Sequence, residues 1–349
     1  MNEIYYNGTK LLNTLDLNNK RPEIYMVTSN RSAGKTTYFN RLAINRFKRE
    51  NKKFCLLYRF NYELENVSDK FFKDIKYLFF KNDEMSEKRI AKGKIIELFY
   101  NKKSCGYAVS LNDADFIKKY SHYLSDVSTI IFDEFQSETN HYCDKEIEKF
   151  ISIHTSIARG RNAMSRYVPV YMISNPVTLL NPYFAKFNIS TRLKENTKIL
   201  RGTGWILEQN LNKNALKANQ DSAFNQAFLS DKYIAYSTEG IYLRNDKSFL
   251  TTQKDLKGKN NYICTFKVDG KDYSLREYVE SGYIYVSDVI DNTNKIKISV
   301  TTEDHGINYF LKARYSNLIL NLRFIFESGN FRFKNLDCKS ACLKLISYD

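Results

Sequence analysis

Apolar positions in the first two hundred residues follow two rhythms, and their alternation lays out an architecture. Ile24-Tyr25-Met26-Val27-Thr28, Phe54 to Arg59, Val127-Ser128-Thr129-Ile130-Ile131-Phe132 and Tyr167 to Ile173 are near-continuous apolar runs. Runs of this kind, without polar alternation, predict strands buried on both faces, as in a parallel sheet. Between them the period lengthens to that of a helix, at Phe39, Leu42, Ala43 and Phe47 and over about 66–80 and 144–158. Ile95 to Tyr100 and Cys105 to Leu111 alternate around the polar tip Asn101-Lys102-Lys103-Ser104 and predict a hairpin. Residues 1–20 read as a short amphipathic arm.

Beyond about residue 205 the pattern changes. Glu208 to Ala235, rich in Asn, Gln, Ala and Lys, predicts a helical linker. Asn261 to Asp269, Tyr283 to Ile290 and Lys295 to Thr301 alternate as strands, and Tyr309 to Phe326 reads as mostly helical. The expected organisation is an α/β domain with a mostly parallel sheet over 1–206, a helical linker over 207–238 and a smaller α+β domain over 239–349.

Composition narrows the class. The chain carries 54 Lys+Arg against 39 Asp+Glu, a formal net charge of +15. Residues 237–349 hold 17 basic and 14 acidic groups, so most of the excess lies in the first two-thirds. Such a surface suits a polyanion partner, or is simply a solvated lysine-rich face. No apolar run approaches the length of a membrane span, and Met1-Asn2-Glu3-Ile4 does not open a basic and then apolar leader, so an unexported protein with no membrane partner is expected. Six scattered cysteines with no CxxC pair and four unclustered histidines favour reduced thiols over disulfides or zinc.

The chemistry-bearing stretch follows the first strand. Ser29, Asn30, Arg31, Ser32, Ala33, Gly34, Lys35, Thr36 and Thr37 form a polar loop opening a helix, the strand–loop–helix order of a phosphate loop, with Ser29 where the consensus has glycine. Backbone N–H groups at such a helix start favour a polyphosphate. Gly34 permits close backbone approach, Lys35 reaches the β and γ phosphates, and Thr36 offers a hydroxyl to Mg²⁺. The partner motif is Asp133-Glu134 at the carboxyl end of the 127–132 strand. There Asp133 would hold Mg²⁺ and Glu134 would polarise the attacking water as general base. Acids merely closing a strand are the bland alternative for either motif alone; both in this order point to nucleotide hydrolysis. Arg159, at the end of the 144–158 helix, is either a charge complementing a helix C-terminus or an arginine finger offered to a neighbouring subunit. Asn175, after the 167–173 strand, would lie beside the γ-phosphate. No Asn-Lys-x-Asp guanine signature is present, which favours ATP. The hairpin-tip residues Lys102 and Lys103 are either a solvated turn or contacts to a nucleic-acid backbone, for which Arg59 is a further candidate.

With these motifs placed, the order of elements resembles the DNA-packaging motor ATPases of phi29-like tailed bacteriophages. The resemblance rests on Tyr25-to-Thr36, Asn45-Arg46-Phe47, Tyr58-to-Leu64, the block from Val127 to Phe135, Arg159-Gly160-Arg161, Ser174-Asn175 and Asn181-Pro182-Tyr183-Phe184. It implies a P-loop ATPase of the additional-strand, catalytic-glutamate type, with Arg159 acting in trans. It also implies a homopentameric ring docked on the portal of a procapsid in the host cytoplasm, absent from the mature virion, working with a structural packaging RNA on double-stranded DNA. For residues 239–349 it implies a ribonuclease H-type fold without nuclease activity. Ser29 and Ser32 stand where that family has loop glycines, and Asn61 where it has a lysine facing DNA.

The leading expectation is therefore an ATPase whose hydrolysis drives double-stranded DNA into a capsid. A helicase loader or partition-type ring ATPase is the alternative from the same fold. A nucleotide-binding module without turnover, and a nuclease with an accessory ATPase using acids such as Asp269, Asp288, Asp291 and Asp304, are the alternatives from other classes.

Overall fold

A computed structural model describes residues 5–139, 141–159, 165–179, 181–193, 197–210 and 250–347, with isolated positions between 212 and 227. They fall into two compact units. The first contains α1 (Thr9–Asn13), β1 (Ile24–Ser29), α2 (Lys35–Glu50), β2 (Lys53–Tyr58), α3 (Val67–Phe79), β3 (Met85–Ile90), β4 (Ile95–Tyr100) and β5 (Lys103–Ser110). It continues with α4 (Ala114–Lys119), β6 (Val127–Asp133), α5 (Glu146–Ala158) and β7 (Val170–Ser174). After α6 (Pro182–Lys186) and α7 (Ile189–Arg192), which group with the second unit, it is completed by β8 (Ile199–Gly202) and β9 (Trp205–Asn210).

One nine-stranded sheet, in the order β3-β4-β5-β2-β6-β7-β1-β9-β8, organises the first unit. Its six central strands, β5, β2, β6, β7, β1 and β9, run parallel, and the antiparallel pairings of β4 and β3 at one edge and of β8 at the other close it. The apolar runs are the central strands, and they are apolar on both faces because helices cover both. Aromatic residues fill the layer between sheet and helices: Phe39 of α2 packs on Tyr171 of β7, and Phe71 of α3 stacks on Phe54 of β2. The high aromatic content is thus largely core.

The second unit carries β10 (Asn260–Val268), β11 (Lys271–Tyr278), β12 (Tyr283–Ser287), β13 (Lys297–Ser299), β14 (Phe310–Leu311), α8 (Ser316–Glu327), β15 (Phe331–Phe333) and α9 (Leu336–Ile346). An antiparallel meander β10-β11-β12 is extended by parallel strands on either side, in the order β14-β13-β10-β11-β12-β15. The block Asn181-Pro182-Tyr183-Phe184 is a helix start: the Asn181 side chain accepts from the Phe184 N–H at 2.9 Å, proline takes the first turn, and both rings are buried.

Several expectations need correcting. The helical linker expected from 207 begins instead as β9, because Ile206 and Leu207 are buried and Glu208 accepts from the Tyr6 hydroxyl at 2.6 Å. The rest of that linker lies mostly outside the described residues. Residues 179–193 group with the second unit, interrupting the domain expected over 1–206. β3, β11 and β15 were not anticipated, and the stretch from Tyr309 to Phe326, read as mostly helical, is helical from Lys312, after the short strand β14. The four candidate acids of the C-terminal region do not converge. Asp269 pairs with Lys344, Asp288 with Lys334, Asp291 accepts from Thr293, and Asp304 accepts from the N–H groups of Asp269 and Gly270. Among the described residues no group of three or more His, Cys, Asp or Glu could hold a metal.

Gly106 of β5 faces Phe54 of β2, and a Cβ at this position would lie 2.4 Å from the Phe54 carbonyl oxygen. Gly106→Ala should therefore force β2 and β5 apart, at a cost of about 1–3 kcal/mol. The expected readout is a lower denaturation midpoint with the site residues unaltered.

Candidate functional site

The parallel strands β1, β6 and β7 end together, and the loops leaving those ends make the site. β1 passes into Asn30–Gly34 and then α2; Ser32 (φ 61) and Gly34 (φ 87) are both left-handed, so the loop folds back above the helix start. Ser32 thus adopts in this loop a conformation that favours glycine. The loop is held from behind: Asn30 exchanges two hydrogen bonds with the Asn212 backbone (2.9 and 3.1 Å), and the Ala33 carbonyl accepts from the Tyr6 N–H (2.8 Å).

Lys35 is buried, and its ammonium donates to the Ser29 carbonyl and hydroxyl, both at 2.9 Å, to the Asn30 carbonyl at 3.3 Å and to Asn175 Oδ1 at 3.4 Å. Burial lowers its pKa to about 8, against the opposing pull of Asp133. Ser29, out of place in a phosphate-loop consensus, is thus a ligand of the lysine.

Asp133 closes β6. Burial pushes its carboxyl upward, while hydrogen bonds from the Thr36 hydroxyl and the Glu134 N–H (3.0 Å) and the charge of Lys35 work the other way. Glu134 is left-handed (φ 56), which turns its side chain out of the strand direction. Its carboxyl is also raised, first by burial and then by Asp133, Glu138 and Glu63, with Arg31 opposing. Asn175 joins this network, donating to Glu138 (3.3 Å), which in turn pairs with Arg31 (2.9 Å).

These groups wall a cleft of about 290 Å³ formed by the loop from Arg31 to Thr37 together with Asp133, Glu134, Ser174 and Asn175, with the exposed ring of Tyr5 at its rim. The Ser174 hydroxyl is buried without a hydrogen-bond partner among the described residues. A hydroxyl and a carboxylate already in contact, Thr36 and Asp133, supply hard oxygen donors, and the three acids Asp133, Glu134 and Glu138 outnumber the two cations at the cleft, Lys35 and Arg31. This is a fit for Mg²⁺, which takes few protein ligands and keeps its waters. A second cleft, of about 370 Å³, meets the first at Thr36, Asp133 and Glu134 and extends past Tyr58, Tyr62, Glu63 and Lys70.

Two predicted residues fall elsewhere. Arg59 is buried, not displayed to a DNA backbone. Its guanidinium binds both carboxylate oxygens of buried Glu146 (2.9 and 3.2 Å from Nε) and donates to the Glu134 and Phe135 carbonyls (3.2 and 2.7 Å). An arginine at a strand end looks exposed in sequence, and its partner lies 87 residues away. Arg159 is exposed at the end of α5, which runs back toward the amino ends of the strands; there the Arg166 N–H donates to the Ala158 carbonyl. A five-residue strand, about 17 Å long, separates it from the cleft of its own chain. Gly160 and Arg161 lie outside the described residues. Lys102 and Lys103 are exposed at the β4–β5 turn. Tyr5, Glu63, Glu138 and Glu146 are site residues that no local motif announced.

The chain matches the family model for podovirus DNA encapsidation protein (Gp16) over residues 1–348. It is 23% identical to the DNA packaging protein of Bacillus phage phi29, covering 98% of this chain and 97% of that protein. It is 24% identical to the DNA packaging protein of Bacillus phage PZA, with the same coverage. Its fold is similar to that of a chain in the bacteriophage phi-29 viral genome packaging motor assembly, at 20% identity, 98% coverage of both chains and a TM-score of 0.58.

Removing one member of the Arg59–Glu146 pair should leave a buried uncompensated charge. Arg59→Ala and Glu146→Ala are each expected to cost about 3–5 kcal/mol, and the double variant Arg59→Met, Glu146→Leu less than either. Denaturant unfolding of the three variants checks this.

Proposed function

The chain belongs to the podovirus DNA encapsidation protein (Gp16) family, and on that premise we propose that it packages viral DNA by hydrolysing ATP between the subunits of a ring. The observation that carries this reading is the convergence of Lys35, Thr36, Asp133, Glu134 and Asn175 on one cleft at the carboxyl ends of β1, β6 and β7.

ATP is the substrate. Its triphosphate would lie along Ser29–Thr37, with Lys35 exchanging its Ser29 and Asn30 acceptors for phosphate oxygens. Thr36 and Asp133 would hold Mg²⁺, which when bound would neutralise charge on the transferring phosphoryl group. Glu134 would take the proton of the attacking water, and burial, by raising its pKa, makes it a stronger base than an ordinary carboxylate. Asn175, bonded to Lys35 and Glu138, would sense the γ-phosphate. Tyr5 at the rim is a candidate platform for the base. Arg159, remote from the cleft of its own chain and exposed, supports a role in trans on a neighbour's site. In this reading the subunits form a homopentameric ring on the portal of a procapsid in the host cytoplasm, with double-stranded DNA and a structural RNA as partners.

Glu134→Gln and Arg159→Ala proteins should each lose hydrolysis by about 10³-fold or more. A one-to-one mixture should recover it, because one kind of mixed interface pairs an intact glutamate with an intact arginine. Failure to recover, with subunit exchange confirmed, would remove the trans arginine.

Lys35 gives a pH test. Its folded pKa, about 8, is depressed below the ordinary lysine value of 10.5, so between these pH values the unfolded chain binds more protons and stability rises with pH. Bound triphosphate would restore the charge on Lys35. Above about pH 8, ATP binding should therefore take up a proton and weaken as pH rises, as read by calorimetry in buffers of different ionisation enthalpy. Lys35→Met should abolish the uptake.

A further inference from the structure

α3 has two working sides. On one, Lys70 and Phe71 wall the cleft that contains Glu134, together with Tyr62 and Glu63 of the Asn61–Leu64 turn. On the other runs a groove of about 630 Å³ with Phe72 and Met85 in its floor and Lys73, Lys76, Tyr77 and Lys81 along it. Lys70, Lys73, Lys76 and Lys81 are exposed, and none makes an ion pair among the described residues. Tyr77 is 77% exposed, with the Lys81 ammonium 6.0 Å from its ring centre. The neighbouring edge strand β3 adds exposed Lys88 and Arg89 and is tied to α3 by the Ser68 N–H donating to Glu87 at 2.7 Å. Asp69 and Asp74 are the acids on the same helix, leaving its outer side net positive.

We propose that α3 grips the phosphate backbone of double-stranded DNA, and that the Asn61–Leu64 turn couples this grip to the nucleotide state. The proposal rests on the ATPase reading above. Lys70 to Lys76 spans about 9 Å of helix, so several ammoniums on flexible stems meet successive phosphates without reading bases. Tyr77 adds a hydroxyl donor of the kind used on phosphates. A solvated lysine face would need no connection to the catalytic glutamate. Here the Asn61–Leu64 turn supplies the connection: the Glu63 carboxylate accepts from the Phe60 N–H at 2.6 Å, the Lys70 ammonium lies 3.4 Å from the Glu63 carbonyl, and α3 begins at Val67. A change in that turn when Glu134 engages water and phosphate would move the thirteen-residue helix as one body.

The test is duplex DNA binding by the full chain, followed by fluorescence anisotropy across a salt series with an ATP analogue or ADP bound. It compares the native protein with Lys73→Ala, Lys76→Ala, Lys81→Ala. Three lost phosphate contacts should reduce the slope of log affinity against log salt by about 2.7. The ratio of DNA affinities between the two nucleotide states, about 5- to 150-fold for a coupled site, should fall toward one. DNA-free ATP hydrolysis should stay unchanged, which also shows that the variant folds. Native affinity and slope in the triple variant would overturn the proposal, as would loss confined to an RNA duplex of the same sequence. Absence of ATP hydrolysis in the native protein would remove the ATPase reading, while DNA binding lost in the triple variant would still support the grip.

Discussion

The left-handed turn at Glu134 is the constraint on which the site depends. A strand continuing past Asp133 would point successive side chains to opposite faces of the sheet and separate the two carboxylates. The turn at Glu134 breaks that alternation and lets both line the same clefts. A non-glycine residue holds such a conformation at a cost and needs its surroundings to enforce it. Arg59 does so, with its guanidinium on the Glu134 and Phe135 carbonyls and its charge answered by Glu146 from the first turn of α5. The Phe135 N–H, donating to the Ile173 carbonyl at 3.2 Å, pins the far side of the turn to β7. Three elements from distant parts of the chain therefore fix one peptide.

That geometry produces an electrostatic imbalance. Asp133, Glu138 and Glu63 all push the Glu134 carboxyl upward, while Arg31 opposes the shift at Glu134 and Lys35 the one at Asp133. Lys35 is itself depressed by burial, and Arg31 is already paired with Glu138. In a partly buried site such a deficit is stronger than it would be in water. It favours anything that brings positive charge: a divalent cation on the Thr36–Asp133 oxygens, or an arginine from another subunit. The exposed Arg159 lies at the opposite end of the sheet, so in the proposed reading it would answer this deficit only across an interface. A heterologous contact of that kind, with different surfaces meeting head to tail, closes into a ring when the rotation per subunit permits.

The sheet was legible because both-face burial leaves unbroken apolar runs, and the phosphate loop and Asp133-Glu134 because their chemistry is local. Arg59 was misread because nothing in Tyr58-Arg59-Phe60 announces that Glu146, far along the chain, will neutralise it. β9 was hidden by its own polar residues. Glu208 and Gln209 look like linker, but Glu208 is buried against the Tyr6 hydroxyl while Ile206 and Leu207 fill the core. The family-like Asn45-Arg46-Phe47 proved structural: Arg46 donates to Thr129 and to the Tyr171 hydroxyl, tying α2 to β6 and β7. In the C-terminal unit the short strands β14 and β15 carry too few residues for any periodicity to show.

The position of α2 and α3 sets how hydrolysis could be felt elsewhere. α2 is bound to the sheet by that Arg46 bridge and by the packing of Phe39 on Tyr171, so its start, where Lys35 and Thr36 sit, is a fixed reference. α3 is held at its beginning by the turn beside Glu134 and along its apolar face by Phe71 and Phe72, while its lysines face solvent. Both helices reach the cleft at their beginnings, but α2 is also bridged to the sheet by Arg46, whereas α3 reaches it through the Asn61–Leu64 turn. A nucleotide that binds two orientations of α3 equally tightly would shift nothing. Any coupling through this route would arise in the cleft that Glu63 and Lys70 share with Glu134, and its size would be set by how differently phosphate and product sit against that wall.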